Sequence, residues 1–379
     1  MNQQPTGAHG SQLLKEADRL MTVCNSCRYC EGLCAVFPAM EMRRAFSDGD
    51  LNYLANLCHA CGACYTDCQF SPPHEFNVNV PKTLAVARAE SYAAYAWPRA
   101  LSGAFARNGL VISLVAALSM AVFILGFAAF NDRGVLLGIH TGPGAFYLYR
   151  LMPHGAMAAL FSAAFLYAIL ALIMSLRAFW RDIGEPIGGR ASGGSILRAI
   201  RDAGELRYLH GGGVGCYNED ERPTDRRKLY HHLTFYGFLL CFAATSVATL
   251  YHYLSGREAP YAWWDLPVVL GTLGGIGLVV GPVGLFVAKC RRDPALLDEG
   301  RYGMDVGFIA MLFLTGITGL VLLVLRETAA MGPLLALHLG AVFALFITMP
   351  YGKFVHGLYR FAALVRYAQE RRGEGHAGS

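Results

Sequence analysis

CNSCRYCEGLC, residues 24–34, carries four cysteines, and CHACGACYTDC, residues 58–68, repeats their spacing. Each segment has two residues between its first and second cysteines, two between the second and third, and three between the third and fourth. These segments hold eight of the eleven cysteines, whereas a disulfide framework would distribute them differently and would need an oxidising compartment. We therefore interpret the eight thiols as metal ligands.

The spacing is typical of [4Fe–4S] clusters, in which closely spaced cysteines ligate one cluster and, in two-cluster ferredoxins, the fourth cysteine ligates the other cluster. This crossing predicts two ligand sets, namely Cys24, Cys27, Cys30 and Cys68 for one cluster, and Cys58, Cys61, Cys64 and Cys34 for the other. Two structural zinc sites are the alternative, but such sites normally pair two knuckles across a longer loop. The pattern favours two [4Fe–4S] clusters.

The segment between the two motifs has helical spacing, and Ser47 or Asp48 is a suitable N-cap for the run LNYLANL. It shows no strand-like alternation. We therefore predict an all-helical two-cluster ferredoxin domain over residues 1–100, rather than a β-rich ferredoxin.

The rest of the chain, residues 101–379, is predicted to be a membrane domain. Apolar residues make up 54% of the whole chain, which is above the usual range for a soluble protein. A transmembrane helix needs about 20 apolar residues, and six windows provide them: 109–130, 152–176, 233–254, 266–288, 306–325 and 333–356. The predicted fold class is all-α, with a cytoplasmic ferredoxin domain followed by a six-helix transmembrane bundle.

Charge in the connections predicts the orientation. Lys and Arg are abundant after the second, fourth and sixth windows, whereas the opposite connections carry only Arg133, Arg150, Arg257 and Arg326. By the positive-inside rule both termini are cytoplasmic, and we expect a multi-pass protein of the bacterial inner membrane. The N-terminus lacks the apolar core of a secretory signal, and no basic run interleaved with aromatic residues suggests nucleic-acid binding. The connection 180–229 is either a solvated linker or a surface that packs on the ferredoxin domain or on a partner.

Histidines at the ends of the windows are candidate haem ligands, because ionisable residues within a membrane are usually functional. His338 and His356 lie 18 residues apart in the sixth window, on one face of a continuous helix and about 27 Å apart. In the third window, His231 or His232 is level with His356, and His252 is level with His338. The pattern predicts bis-histidine ligation of one or two haem b groups.

Two points about the histidines stay open. Helical geometry favours His231 slightly over His232 as the inner ligand, and His154, near the outer end of the second window, is a substitute ligand for the outer haem. The alternative for any one of them is a structural role at a helix end. The glycine-rich fourth window, GTLGGIGLVVGPVG at residues 271–284, predicts close helix packing, with a quinone pocket as the alternative.

Four segments together resemble the tricarballylate and citrate utilisation protein B family: CNSCRYCEGLC, CHACGACYTDCQFSPPHEFNVNVPKTLA, HHLTFYGFLLCFAATSVATLYHYL and KFVHGLYR. The likeness covers nearly the whole chain. The sixth window also resembles, more distantly, the last helix of the cytochrome b subunit of respiratory nitrate reductase, where two haem-ligating histidines have the separation of His338 and His356.

The resemblance implies a membrane electron carrier that reoxidises the reduced FAD of a separate tricarballylate dehydrogenase-like flavoprotein and passes the electrons to membrane quinone. The expected activity is that of an electron-transfer oxidoreductase subunit. FAD belongs to the partner, because no G-x-G-x-x-G opens a helix after a predicted strand. A redox sensor or assembly protein would keep the clusters without haem. A tricarboxylate transporter would need buried cationic groups or broken helices at the membrane centre, and the windows lack central Arg or Lys.

Overall fold

The computed structural model describes residues 9–139, 148–187, 189–220 and 222–377. Within these ranges there is no strand, and Cys216 and Thr224 form an isolated β-bridge. The helices are α1 (Gln12–Cys27), α2 (Val36–Glu41), α3 (Asp48–Leu57), α4 (Ala63–Thr66), α5 (Val80–Tyr95), α6 (Asn108–Phe130), α7 (Arg133–Leu136), α8 (Leu148–Leu151), α9 (His154–Ile183), α10 (Gly193–Gly204), α11 (Arg226–Ser255), α12 (Leu266–Cys290), α13 (Tyr302–Val324), α14 (Met331–Thr348) and α15 (Val355–Ala377).

Six helices are long and apolar enough to cross a membrane, which confirms the predicted fold class. They are α6, α9, α11, α12, α13 with the turn before it, and α14 with the turn after it. The first five correspond to the predicted windows. The protein is therefore a helical membrane protein with a smaller helical domain at its N-terminus.

The sixth window is not one continuous helix, so the prediction of a continuous helical face from His338 to His356 is wrong. Helix α14 ends at Thr348, a turn of 3₁₀ helix follows, and α15 begins at Val355. The break occurs at Pro350, which has no N–H for the helical ladder and clashes with the preceding turn. His338 and His356 consequently lie on different helices.

The N-terminal helices start at local capping residues. Ser47 accepts a hydrogen bond from the Asp50 N–H, and Asp50 bonds back to the Ser47 N–H, which makes a complete capping box. This confirms Ser47 as the N-cap of α3. Ser11 caps α1 and Asn79 caps α5 in the same way, each by accepting a hydrogen bond from a backbone N–H of the first turn.

Helix α15 leaves the membrane and packs into the core of the N-terminal domain. Tyr359, which is fully buried, has its ring centroid 5.9 Å from that of Tyr92, 5.7 Å from that of Tyr95 and 4.9 Å from that of Phe179. Tyr92 and Tyr95 belong to α5, and Phe179 belongs to the C-terminal end of α9. The cysteine-bearing domain is thus packed directly on the ends of two other helices.

A buried ion network fixes α15 to the same domain. The fully buried Glu370 carboxylate accepts hydrogen bonds from Arg43 at 2.5 Å, from Arg366 at 2.9 Å and from the Tyr53 hydroxyl at 3.0 Å. Arg43 and Arg366 also bond Asp50, at 2.7 and 3.1 Å. Burial pushes the pKa of Asp50 upward, but the two guanidinium groups outweigh it and the pKa is lowered.

Glycines of α12 allow close contact with α11, as predicted for the fourth window. A Cβ on Gly274 would lie 2.7 Å from the Cys241 backbone N, and one on Gly277 would lie 2.7 Å from the Leu233 carbonyl oxygen. Real Cβ atoms do not approach so closely, so larger residues would separate the helices. This packing sets the position of α11, which carries His231.

Candidate functional site

The first cysteine group consists of Cys24, Cys27, Cys30 and Cys68. All four line one cavity of about 240 Å³, together with Cys64 from the second motif. Burial, followed by the closeness of the other three thiols, raises the pKa of the Cys24 thiol to about 12. Cys68, although part of the second motif, therefore lies close to Cys24 and Cys30 of the first.

The second cysteine group is Cys34, Cys58, Cys61 and Cys64. Burial raises the pKa of Cys34, and its nearest thiol neighbours are Cys61 and Cys58, while backbone N–H groups at the start of α2 donate to its sulfur. Cys64 is surrounded by the same partners. These neighbour relations are those of the crossed ligand sets. No group of three or more His, Cys, Asp or Glu side chains in the described ranges is arranged to hold a single metal ion.

The connection 180–229 packs on the second cysteine group, which settles the alternative left open by the sequence. Leu206, Leu209 and Cys216 form one buried cluster with Cys61 and Ala63. The Tyr217 N–H donates to the Cys61 carbonyl at 2.9 Å. Sequence reasoning missed Cys216, because an isolated cysteine in a loop carries no spacing signal.

Cys216 also affects a neighbouring cysteine of the second motif. Its Sγ lies 2.8 Å from the Leu209 carbonyl oxygen. A hydrogen bond from the Cys216 thiol is the largest cause that lowers the pKa of Cys61, to about 6, with backbone N–H groups and Arg227 adding to it. The thiolate, which is the form that binds metal, is thereby favoured at Cys61.

A second cavity, of about 560 Å³, lies between the second cysteine group and the membrane helices. Five arginines line it, and Arg301 among them donates to the Phe105 carbonyl. The other four donate to backbone carbonyls around residues 58–60, and we call them the arginine cluster: Arg88, Arg227, Arg292 and Arg360. Arg227 and Arg292 bond the Ala60 carbonyl at 2.9 and 2.7 Å. Arg360 bonds the Cys58 carbonyl at 2.6 Å, and Arg88 bonds the same oxygen. The backbone between Cys58 and Cys61 is therefore held against the cavity.

Three histidines line this cavity. His231 comes from α11, His356 from the first turn of α15, and the buried His59 from between Cys58 and Cys61. The ring centroids of His231 and His356 are 6.1 Å apart, with the planes at 70°. The pair therefore joins two helices that are far apart in the chain.

The hydrogen bonds of the pair suit metal ligation. His356 Nδ1 bonds the Lys353 carbonyl, so Nδ1 carries the proton in the neutral ring and Nε2 keeps its lone pair. Burial, followed by nearby Lys353 and Arg360, holds the pKa of His356 well below its usual value. His231 Nδ1 is buried and has no hydrogen-bond partner in the described residues. His232 is directed elsewhere, with its ring 5.8 Å from that of Tyr236.

The outer histidines, His154, His252 and His338, contact the following neighbours. The His252 ring stacks on that of His154 at 3.7 Å, with 21° between the planes, and His252 Nδ1 lies 3.9 Å from Glu258. His338 Nδ1 is 2.9 Å from the Thr318 hydroxyl. In the described part of the chain no ring contact joins His252 to His338. The pairing of these two residues around an outer haem therefore stays a prediction.

Comparison with known proteins identifies the family. A family model described as citrate utilization protein B matches residues 103–377, and one described as citrate utilization protein B Fer4-like domain matches residues 17–94. The chain is 50% identical over 364 residues to citrate utilization protein B of Escherichia coli, covering 96% of this chain and 94% of the relative. No solved structure matches it. The Fer4-like match and the eight cysteines together indicate iron–sulfur clusters, and six membrane helices with such a domain fit an iron–sulfur electron carrier. This chain belongs to the citrate utilization protein B family.

Proposed function

We propose that the protein carries electrons from the reduced FAD of a separate tricarballylate dehydrogenase-like flavoprotein, acting on tricarballylate or a citrate-like acid, to membrane quinone. The route passes through two [4Fe–4S] clusters and haem b. The family name refers to citrate utilization, which supports a partner that oxidises an acid of this kind. The observation that carries the proposal is the His231–His356 pair in a cavity beside the second cysteine group.

The eight cysteines fit two clusters ligated in the crossed manner. Each group offers four thiols. Cys34 lies near Cys58 and Cys61 of the second motif, and Cys68 lies near Cys24 and Cys30 of the first. A [4Fe–4S] cluster transfers one electron at a time, whereas flavin and quinone each exchange two. Two one-electron centres in series allow the protein to separate the electron pair.

His231 and His356 would hold one haem b through their imidazole nitrogens. Their rings are separated so that a metal can lie between them, and the Lys353 carbonyl fixes the tautomer of His356. Bound haem would supply one-electron redox chemistry, and the protein would set its potential through the ligands and the surrounding polarity. His232 would not ligate, and a second haem involving His338, His252 or His154 stays a prediction.

The two cysteine groups differ in exposure, and this gives the route a direction. Cys27 is exposed and Tyr29 beside the first group is 73% exposed. The second group contains the buried Cys58 and Cys61, and His59 between them lines the histidine cavity. Electrons would therefore enter at the first group from the flavoprotein and leave the second group toward the cavity.

We further propose a location in the bacterial inner membrane, with both termini in the cytoplasm. Lys and Arg are concentrated in the connections after α9, α12 and α14, on one side of the six-helix bundle. The cysteine groups lie in the domain that packs on the ends of α9 and α15. Their thiols would then face the reducing cytoplasm and the soluble flavoprotein.

Replacement of single histidines tests the haem site. We expect His231→Ala and His356→Ala each to reduce haem b to a small fraction of the wild-type content, because a six-coordinate haem loses one of its two protein ligands. His232→Ala is the matched control, since it removes an adjacent imidazole outside the pair, and it should retain wild-type haem. A pyridine haemochrome measurement on anaerobically purified protein gives the content.

Iron and acid-labile sulfide counts on the same samples show whether each variant is folded. All three variants should keep the two clusters. A wild-type haem content in both His231→Ala and His356→Ala would refute the haem assignment. Loss of haem from His232→Ala alone would also refute it.

A further inference from the structure

The arginine cluster (Arg88, Arg227, Arg292 and Arg360) concentrates positive charge without matching carboxylates. In the described ranges none of the four forms a salt bridge, and their hydrogen bonds go to neutral carbonyls within residues 55–60. Cations removed from bulk water are costly unless an anion pairs with them. The cluster is therefore suited to an anionic ligand.

The thiolates of the second cysteine group account for only part of this charge. Arg88 and Arg360 are close enough to Cys58 to interact with it, and Arg227 interacts with Cys61. Arg292 is different, because its Nε is buried and has no hydrogen-bond partner within the described residues. Burial and the neighbouring Arg227 lower the pKa of Arg292 to about 9, and an added anion would oppose both effects.

The carboxylates in the cavity wall do not neutralise the arginine cluster. Asp305 is bonded to Lys289 at 2.7 Å and to Lys353 at 2.8 Å. Asp202 pairs with Arg207 at 3.3 Å. Asp298 also lines the cavity, and no salt bridge in the described ranges joins it to the arginines. Asp305 still raises the pKa of Arg292, and a molecule that enters the cavity can supply further counter-charge.

Part of the cavity lining is apolar. It is formed by residues of α11 and α13, among them Phe235, Phe238, Phe308 and Leu312. An occupant would therefore need an apolar body against these side chains, a metal between the two imidazoles, and an anionic edge at the arginines. Haem has this form, with an apolar macrocycle and two carboxylates at one edge.

We infer that the arginine cluster binds the haem propionates, with Arg292 as a principal partner. This inference rests on the haem proposed between His231 and His356. It orients the macrocycle so that the propionate edge lies against residues 58–60, which join two ligands of the second cluster. Electrons from that cluster would then reach the macrocycle at its propionate edge.

Comparison of haemin with haemin dimethyl ester tests the inference on the wild-type chain, because esterification removes the two negative charges and keeps the macrocycle. The full chain, produced without haem and purified in detergent, is titrated with each compound, and binding is followed by the Soret shift of bis-histidine ligation. We expect haemin to bind about tenfold or more tightly than the ester, since buried charge pairs are lost.

Arg292→Gln tests the contribution of the positive charge separately from that of the shape of the site. We expect it to weaken haemin binding about tenfold or more while leaving the affinity for the dimethyl ester unchanged. Arg201→Gln is the matched control, because the Arg201 side chain is 75% exposed on α10 and pairs with Glu205. It should behave as the wild type with both compounds.

If the wild type bound haemin and the dimethyl ester with equal affinity, the inference would be overturned. It would also be overturned if Arg292→Gln lost affinity for the two compounds to the same extent. The histidine variants distinguish this from failure of the proposed function. If His231→Ala and His356→Ala abolish the Soret shift but the ester binds as well as haemin, only the propionate assignment fails. If the histidine variants retain the shift, the haem site itself is wrong.

Discussion

Each cysteine motif places its fourth cysteine away from the first three. Cys34 lies just before helix α2, and its thiol is close to those of Cys58 and Cys61 in the second motif. The short α4 ends just before Cys68, which then joins the first motif. The proposed clusters therefore share the two motifs between them and lie close together, as stepwise electron transfer requires.

Double cysteine variants test this crossing. If ligation is crossed, Cys24→Ser with Cys68→Ser removes ligands from one cluster only and should leave about four non-haem irons. Cys24→Ser with Cys34→Ser should instead remove a ligand from each cluster and lose most of the iron. Anaerobic iron and sulfide counts on the purified proteins measure this.

Ligation within each motif would give the reverse pair of counts, and that outcome would contradict the crossed sets. Cys290→Ser is the control, because Cys290 is exposed at the end of α12 and outside both groups. It should keep the full iron content.

For single residues, the sequence predicts ligands that lie close together in the chain well and partners that are distant in the chain poorly. The cysteine spacing indicates cluster chemistry, because three ligands of each set lie within one short segment. By contrast, Cys216 and Arg292 approach the second cysteine group only through tertiary packing, and neither has a sequence signal. His231 is favoured over His232 by the cavity, whereas helical geometry alone gives it a slight preference.

Helix α15 carries one of the two paired histidines and also the residues that fix its position. Its first turn carries His356, its middle carries Tyr359 in the aromatic core, and Glu370 closes the buried ion network. A rigid α15 therefore holds the imidazole of His356 at a fixed position relative to the second cysteine group.

Glu370→Ala tests how strongly the network holds α15. Removal of the carboxylate leaves Arg43 and Arg366 buried with less counter-charge, and breaking a buried ion pair typically costs about 3–5 kcal/mol. We expect the free energy of unfolding of the N-terminal domain to fall by about this amount. Urea unfolding, followed through the visible absorbance of the clusters, measures it.

Glu16→Ala is the matched control. Glu16 pairs with Arg19 on the surface, and both side chains are 42% exposed, so its loss should cost less than about 1 kcal/mol. If the two variants had equal stability, the buried network would not be what holds α15.

The helices were predictable to different degrees. Hydropathy and length identify the six spans because the hydrocarbon core imposes both. The sixth helix breaks at Pro350, and the expected continuous face between His338 and His356 fails for that reason. Proline has a known local effect, but the direction that α15 takes afterwards depends on its aromatic and ionic contacts with the N-terminal domain.

In the whole molecule, the two cysteine groups and the histidine cavity follow one another from an exposed surface toward the membrane helices. Cys27 lies at the exposed end, His59 lies between the second group and the cavity, and His231 and His356 lie in the cavity. The sequence suggested these parts and their order. Their contact at residues 58–60 depends on the arginine cluster, whose members come from four separate parts of the chain.

Single-turnover oxidation by a quinone analogue tests the central claim most directly. The fully metallated protein, reduced anaerobically, is mixed with the analogue while cluster and haem absorbance are recorded, for the wild type and for His356→Ala. We predict that in the wild type the clusters and haem are oxidised together. In His356→Ala the clusters should stay reduced at least about 100 times longer, because the haem that connects them to quinone is lost. Each 1.4 kcal/mol of added barrier slows a step about tenfold. Oxidation of the clusters at the wild-type rate in His356→Ala, or no oxidation of the wild type by any quinone analogue, would contradict the account.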